Sequence, residues 1–176
     1  VSYLVEGAVG DWSALYLFED KGIVIEEAVM GVMLFNGTMC IGRLLGNRLG
    51  KHLTSKQVVV GGYLLGSIAM GLIVFLPGHA SMYTYLLLGI SLAMIVPNLF
   101  SAMGEQNVIP MTQAVATSTM LGYMGILMGP ALIGFIAHGT SLTVAFIVLT
   151  TLLVVSAGIG KYAYHLMSKD CGLSEE

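Results

Sequence analysis

Charge is scarce in this chain, and basic charge scarcest: 176 residues hold seven Lys and Arg against ten Asp and Glu. Charged residues make up 10% and hydrophobic ones 56%, with a mean hydropathy of +0.88. So little polar surface cannot cover a water-soluble globule, and most of the exterior must meet lipid. The formal net charge of -3 hides a segregation by side and says nothing about nucleic acid, but no basic groove with interleaved aromatics appears, so nucleic acid is not expected as a partner. Cysteine is nearly missing too. Cys40 lies in an apolar run and Cys171 in a polar tail, opposite environments that argue against a structural disulfide. Catalytic signatures are lacking: His52, His79, His138 and His165 fall in or near loops without metal-ligand spacing. No nucleophile elbow, phosphate-binding loop or zinc-protease pattern is present. Neither enzymatic chemistry, nor a metal, nor a cofactor is expected. The chain also shows no initiator Met and no cleavable signal, with five residues before Glu6. It is expected to start inside a transmembrane helix of a longer protein.

What is present is a series of long apolar runs. A bilayer core takes about 20 apolar residues per helix, and six stretches qualify. They run from the start to about Phe18, Ile25 to Leu45, Gln57 to Leu76, Met82 to Met103, Gln113 to Ala137 and Leu142 to Tyr162. Glu19-Asp20-Lys21-Gly22, Pro77-Gly78 and His138-Gly139-Thr140 supply breaks between them. The predicted fold is an all-α membrane protein of six transmembrane helices. Six of the seven basic residues support one orientation: Arg43, Arg48, Lys51 and Lys56 in one loop, Lys161 and Lys169 at the C-terminal end. Short loops rich in Lys and Arg stay cytoplasmic, so both termini are expected there. The acidic loop holding Lys21 is expected outside.

Small residues at helical spacing mark close helix packing in lipid. Gly42, Gly46 and Gly50 are spaced four apart, as are Gly62 and Gly66, and Gly125 and Gly129, with Gly122 on the same face. Pro97 and Pro130 lie inside helices, where each removes a backbone hydrogen bond and favours a kink. Trp12 and Tyr16 fit an external aromatic belt.

Glu6 and Asp11 are the candidates for chemistry, because ionisable groups inside a membrane helix are costly and mark ion or solute paths. Glu6 falls near mid-membrane, with no basic residue of the chain expected within reach. Five residues apart, the two carboxyls point about 140° from each other; Glu6 aligns instead with Gly10 and Ser13. Desolvation favours a neutral carboxyl, which suits such a group to binding and releasing a proton as a cavity opens and closes. Ser13, Asn36 and Asn98 are candidates for the solute path. Interhelical hydrogen bonding is the simpler account of each buried amide.

The stretch G-R-L-L-G-N-R-L-G-K from Gly42 to Lys51 resembles the cytoplasmic loop motif of the major facilitator superfamily. Gly42, Arg43, Gly46, Arg48 and Lys51 are in place, while Asn47 stands where the family usually has Asp. E-G-A-V-G-D-W-S-A-L-Y-L from Glu6, I-V-P-N-L-F-S from Ile95, and G-Y-M-G-I-L-M-G-P-A-L-I-G from Gly122 to Gly134 are similar to the C-terminal half of bacterial facilitators. The nearest branch is fucose-permease-like and uncharacterised inner-membrane members. The resemblance covers nearly the whole chain and implies two inverted three-helix repeats, with residues 1-176 as one domain and an N-terminal six-helix half as partner. It implies alternating access for a small organic solute across the bacterial inner membrane, with a proton as the coupling ion. Drug or metabolite efflux is the alternative within transport. Outside it stands a self-associating six-helix channel or membrane scaffold.

Overall fold

The computed structural model describes the backbone over 1–49, 53–105 and 110–172, and side chains up to 46, over 53–104 and over 110–166. Among the described residues there are seven helices and no strand. They are α1 (Ser2–Glu19), α2 (Ile25–Leu49), α3 (Ser55–Phe75), α4 (Gly78–Ala93), α5 (Ile95–Glu105), α6 (Met111–Gly139) and α7 (Leu142–Gly172).

Five stretches are long and apolar enough to cross a membrane: Ile25–Gly46, Ser55–Phe75, Gly78–Gly104, Met111–Gly139 and Leu142–Leu166. The first helix stands apart because its 18 residues carry Glu6, Asp11 and Glu19. It is shorter than α2 and α6, yet it packs along both. Successive spans run alternately up and down. The Glu19, Phe75 and Gly139 ends share one side of the bundle, and Ser2, Leu49, Ser55, Glu105 and Gly172 share the other.

α4 and α5 are one span interrupted at Met94, three residues before Pro97. Proline cannot donate to the carbonyl four residues back, and its ring crowds that carbonyl. The ladder resumes where the Asn98 N–H donates to the Met94 carbonyl at 3.2 Å. Pro130 leaves α6 continuous but takes the donor from the Ile126 carbonyl. Local caps set other boundaries. Thr54 and Gln57 form a reciprocal capping box at the start of α3, and the Lys21 ammonium closes the opposite end, donating to the carbonyls of Val74 at 2.6 Å and Leu76 at 2.9 Å.

The glycines lie against neighbouring helices, some of them against backbone. A side-chain carbon added at Gly129 would stand 2.5 Å from the Leu4 carbonyl oxygen, and one at Gly7 2.8 Å from that of Ile126. α1 and α6 therefore touch main chain to main chain. Gly122 and Gly125 extend the same seam onto Tyr3 and Leu4, and Gly134 lies against Trp12. On α2, Gly42 and Gly46 receive Ala93 and Met94; on α3, Gly62 and Gly66 receive Ser91, Leu92 and Ile95. Gly50 falls outside the described residues.

Two expectations need correction here. Tyr16 does not join an aromatic belt: it is fully buried, stacked on Phe146 at 4.2 Å between centroids. Trp12 is half-buried and donates its indole N–H to the Pro130 carbonyl at 2.9 Å. Arg43 does not belong to a loop either, because α2 runs on to Leu49 and holds it about 9 Å inside the helix end.

Candidate functional site

α1 is the axis of the site, and its own periodicity sorts its side chains. Val5, Ala8, Val9, Ser13, Tyr16 and Leu17 are buried. Tyr3, Leu4, Gly7 and Trp12 meet α6. A third face, centred on exposed Gly10 and Asp11, is covered by nothing among the described residues. α2 and α6 flank it and are the least covered of the long spans: 28% and 11% of their apolar windows are buried, against 39–50% for the others.

Glu6 sits at the α2 edge of this face. The Leu17 to Gly31 contact sets the level: eleven residues along each antiparallel helix bring Glu6 beside Gly42, next to Arg43. There one Arg43 terminal nitrogen, Nη2, reaches both Glu6 oxygens, at 3.2 Å to Oε2 and 3.4 Å to Oε1. The expectation that no basic residue could reach Glu6 is therefore wrong. It failed because Arg43 was counted with the loop, whereas the helix carries it to the depth of the carboxylate. The pair is partly open, with side-chain exposures of 41% for Arg43 and 26% for Glu6.

Asp11 lies on the opposite, α6 edge and has no ion-pair or hydrogen-bond partner among the described residues. Asn36 and Cys40, about two turns and one turn before Arg43, are exposed on the same side of α2. The Asn36 amide donates back to the Val32 carbonyl at 3.0 Å. Down the α1 and α2 edge therefore run Asn36, Cys40, Glu6 and Arg43, with Asp11 across from them.

Other predicted residues fall elsewhere. Ser13 is fully buried beside the Tyr85 hydroxyl, outside strict hydrogen-bond geometry. Asn98 is half-buried in α5 and donates to the Met94 carbonyl at 2.8 Å, spanning the helix break. Gly42 and Gly46 are buried in helix contacts. The side chains of Asn47 and Arg48, the whole of Lys51, and the side chains of Lys169 and Cys171 lie outside the described residues. Sequence reading missed His79, whose Nε2 stands 2.7 Å from Glu27 Oε2 and ties the outer ends of α4 and α2. Both residues flank turns, and that proximity was the available signal.

Two cavities among the described residues lie away from the Glu6 and Arg43 pair. One of about 240 Å³ opens near Ser2, Tyr63, Phe100 and Ser118; one of about 420 Å³ opens at the other end near Trp12, Glu19, Asp20 and His138. No group of three or more His, Cys, Asp or Glu side chains is placed to hold a metal among the described residues.

The chain is similar to a protein of Yersinia pestis named an uncharacterized MFS-type transporter, at 41% identity over 160 residues, covering 89% of this chain and 41% of that protein. It is 28% identical over 162 residues to the membrane protein MosC of Rhizobium meliloti, covering 90% and 40%. It is 28% identical over 151 residues to an uncharacterized transporter, y4wD, of Sinorhizobium fredii, covering 84% and 39%. The chain thus spans about two-fifths of the length of these curated relatives. No family model and no solved structure matches it.

Proposed function

We propose, for a chain similar over about nine-tenths of its length to a protein named an MFS-type transporter, that it is the C-terminal six-helix half of a secondary transporter of the major facilitator superfamily. In this reading a small organic solute crosses a bacterial inner membrane by alternating access, coupled to a proton. α1 serves as the sixth span, the other half covers α1, α2 and α6, and the solute path runs between the halves.

One observation supports the reading: Glu6 pairs with Arg43 at one edge of an exposed stretch of α1, and Asp11 is exposed at the other edge, all three within apolar helices. Charged groups inside a bilayer are tolerated where they face a partner or a water-filled path, not lipid. The pairing of helices also suits an inverted repeat, since α1 on α6 and α4 on α2 are the contacts that exchanging the two triplets would interconvert. Efflux uses the same face, and direction is left to experiment.

The test is uptake by the full-length protein in vesicles with an imposed pH gradient. Glu6→Gln is expected to abolish accumulation while solute exchange at equilibrium persists. Accumulation at the wild-type level would remove Glu6 from the mechanism.

A further inference from the structure

We propose that the solute carries a negative charge and that Arg43 holds that charge, so that one proton on Glu6 and one anion on Arg43 form a single neutral load. The inference rests on the transport reading above and adds the substrate class.

Arg43 is only partly used in this structure. A guanidinium has five N–H donors in a planar fork, and a single terminal nitrogen serves Glu6. Nε and the other terminal nitrogen meet no acceptor among the described residues, and the side chain is 41% exposed. A planar fork with its second edge free matches a carboxylate or phosphate better than a lone hydroxyl.

Charge balance gives the stronger reason. With Glu6 ionised, the pair is neutral. Protonating Glu6 removes the partner and leaves an uncompensated guanidinium at membrane depth, which is strongly unfavourable. An uncharged solute leaves that charge standing, and a cationic solute adds to it. An anion on the free edge of Arg43 restores neutrality. Proton binding at Glu6 and anion binding at Arg43 thus favour each other, and by reciprocity each raises the affinity of the other by the same factor. Each alone is disfavoured, so the empty and the fully loaded forms are the ones that cross.

The surrounding groups allow this. On α2 the titratable neighbour is Cys40; on α6 it is Tyr123, stacked on Tyr3 of α1 at 6.4 Å between centroids. On α4, Tyr85 lies buried nearer the outer end, level with Gly31, and on α7 Lys161 and His165 lie toward the end where α1 starts. Asp11 is the one negative group sharing the face. It stands on the far edge, about 140° around α1 from Glu6, where it limits how far an anion extends past Gly10.

The experiment uses the full-length protein and two matched panels of probes. The acids are lactate, glycerate, gluconate and glucuronate; the uncharged counterparts are propane-1,2-diol, glycerol, sorbitol and glucose. Thermal stabilisation in detergent and proton uptake in weak buffer are read together. At least one acid is expected to bind about tenfold or more tighter than its counterpart, taking up close to one proton per anion. Glu6→Gln should bind that acid without proton uptake and with no pH dependence. Arg43→Gln should lose the preference for acids, and Arg43→Lys should keep part of it. The double variant Glu6→Gln with Arg43→Gln is neutral and guards against misfolding, and it should fold yet bind no acid. Preference for the uncharged panel, binding of no acid at all, or acid binding indifferent to Arg43 overturns the inference. Gradient-driven accumulation of an uncharged probe would overturn it while leaving the transport reading standing; a folded protein that accumulates neither panel overturns that reading instead.

Discussion

At the scale of the residue, the site depends on where single charges sit along helices. Glu6 and Asp11 were both legible, since an acid inside an apolar run needs no structure to be noticed. Their difference was not. Glu6 has a guanidinium partner and Asp11 has none among the described residues, because Arg43 is held within α2 and not in the loop that follows it. Arg43 was assigned by its sign to a cytoplasmic loop, a rule that speaks of loops and says nothing about a cation that pairs inside a helix. Asp11→Asn is expected to change fold stability by no more than about 0.5 kcal/mol, as at a position without contacts. Arg43→Ala, which leaves Glu6 unpaired, should cost about 1–3 kcal/mol, less than a fully buried pair because both side chains are partly open. Unfolding midpoints of the full-length protein in detergent compare the two. Equal midpoints would mean that the Glu6 contact contributes nothing to the fold.

At the scale of the element, boundaries read from turn residues fell close to the observed ones, because Pro77-Gly78 and Glu19 to Gly22 end helices by chemistry that is local. Gly22 and Gly78 have φ of 69° and 49°, left-handed conformations that other residues rarely adopt. A side chain at Gly78 is therefore strained even though nothing lies within 4 Å of the added carbon. The break at Met94 was only half legible: Pro97 announced a disturbance, but the place where the ladder parts depends on the Asn98 amide and on packing against α3. Gly89, which a side chain would drive into Thr38 and the Phe35 carbonyl, has no glycine partner four residues away and so gave no pattern. Adjacent Gly61 and Gly62 in α3 offer a cleaner test of packing. A carbon added at Gly61 meets nothing within 4 Å; one at Gly62 stands 2.7 Å from the Ser91 carbonyl oxygen. Gly61→Ala should stabilise by up to about 1 kcal/mol through helix propensity. Gly62→Ala should destabilise by about 1–3 kcal/mol through overpacking. The same sign for both in detergent unfolding would show that α3 and α4 do not meet at Gly62.

At the scale of the whole molecule, the alternating run of helices makes a statement about sides that charge makes independently. Glu19, Phe75 and Gly139 share one end of the bundle, and Leu49, Ser55 and the last turns of α7 share the other. Lys56 and Lys161 lie at the second end, whereas Lys21 lies at the first with its ammonium spent on the carbonyls of Val74 and Leu76. A cation already engaged in capping a helix exerts little pull on orientation, so the basic excess points the second end toward the cytoplasm. With Cys40 and Cys171 replaced by Ser in the full-length protein, single cysteines at Glu19 and at Gly139 are expected to react with an impermeant maleimide in intact cells. A cysteine at Lys161 should react only after the membrane is opened. Labelling of Glu19 and Lys161 positions from the same side would break the up-and-down order. Labelling of Lys161 alone in intact cells would keep that order and invert the orientation, showing that the basic residues at this end do not govern insertion.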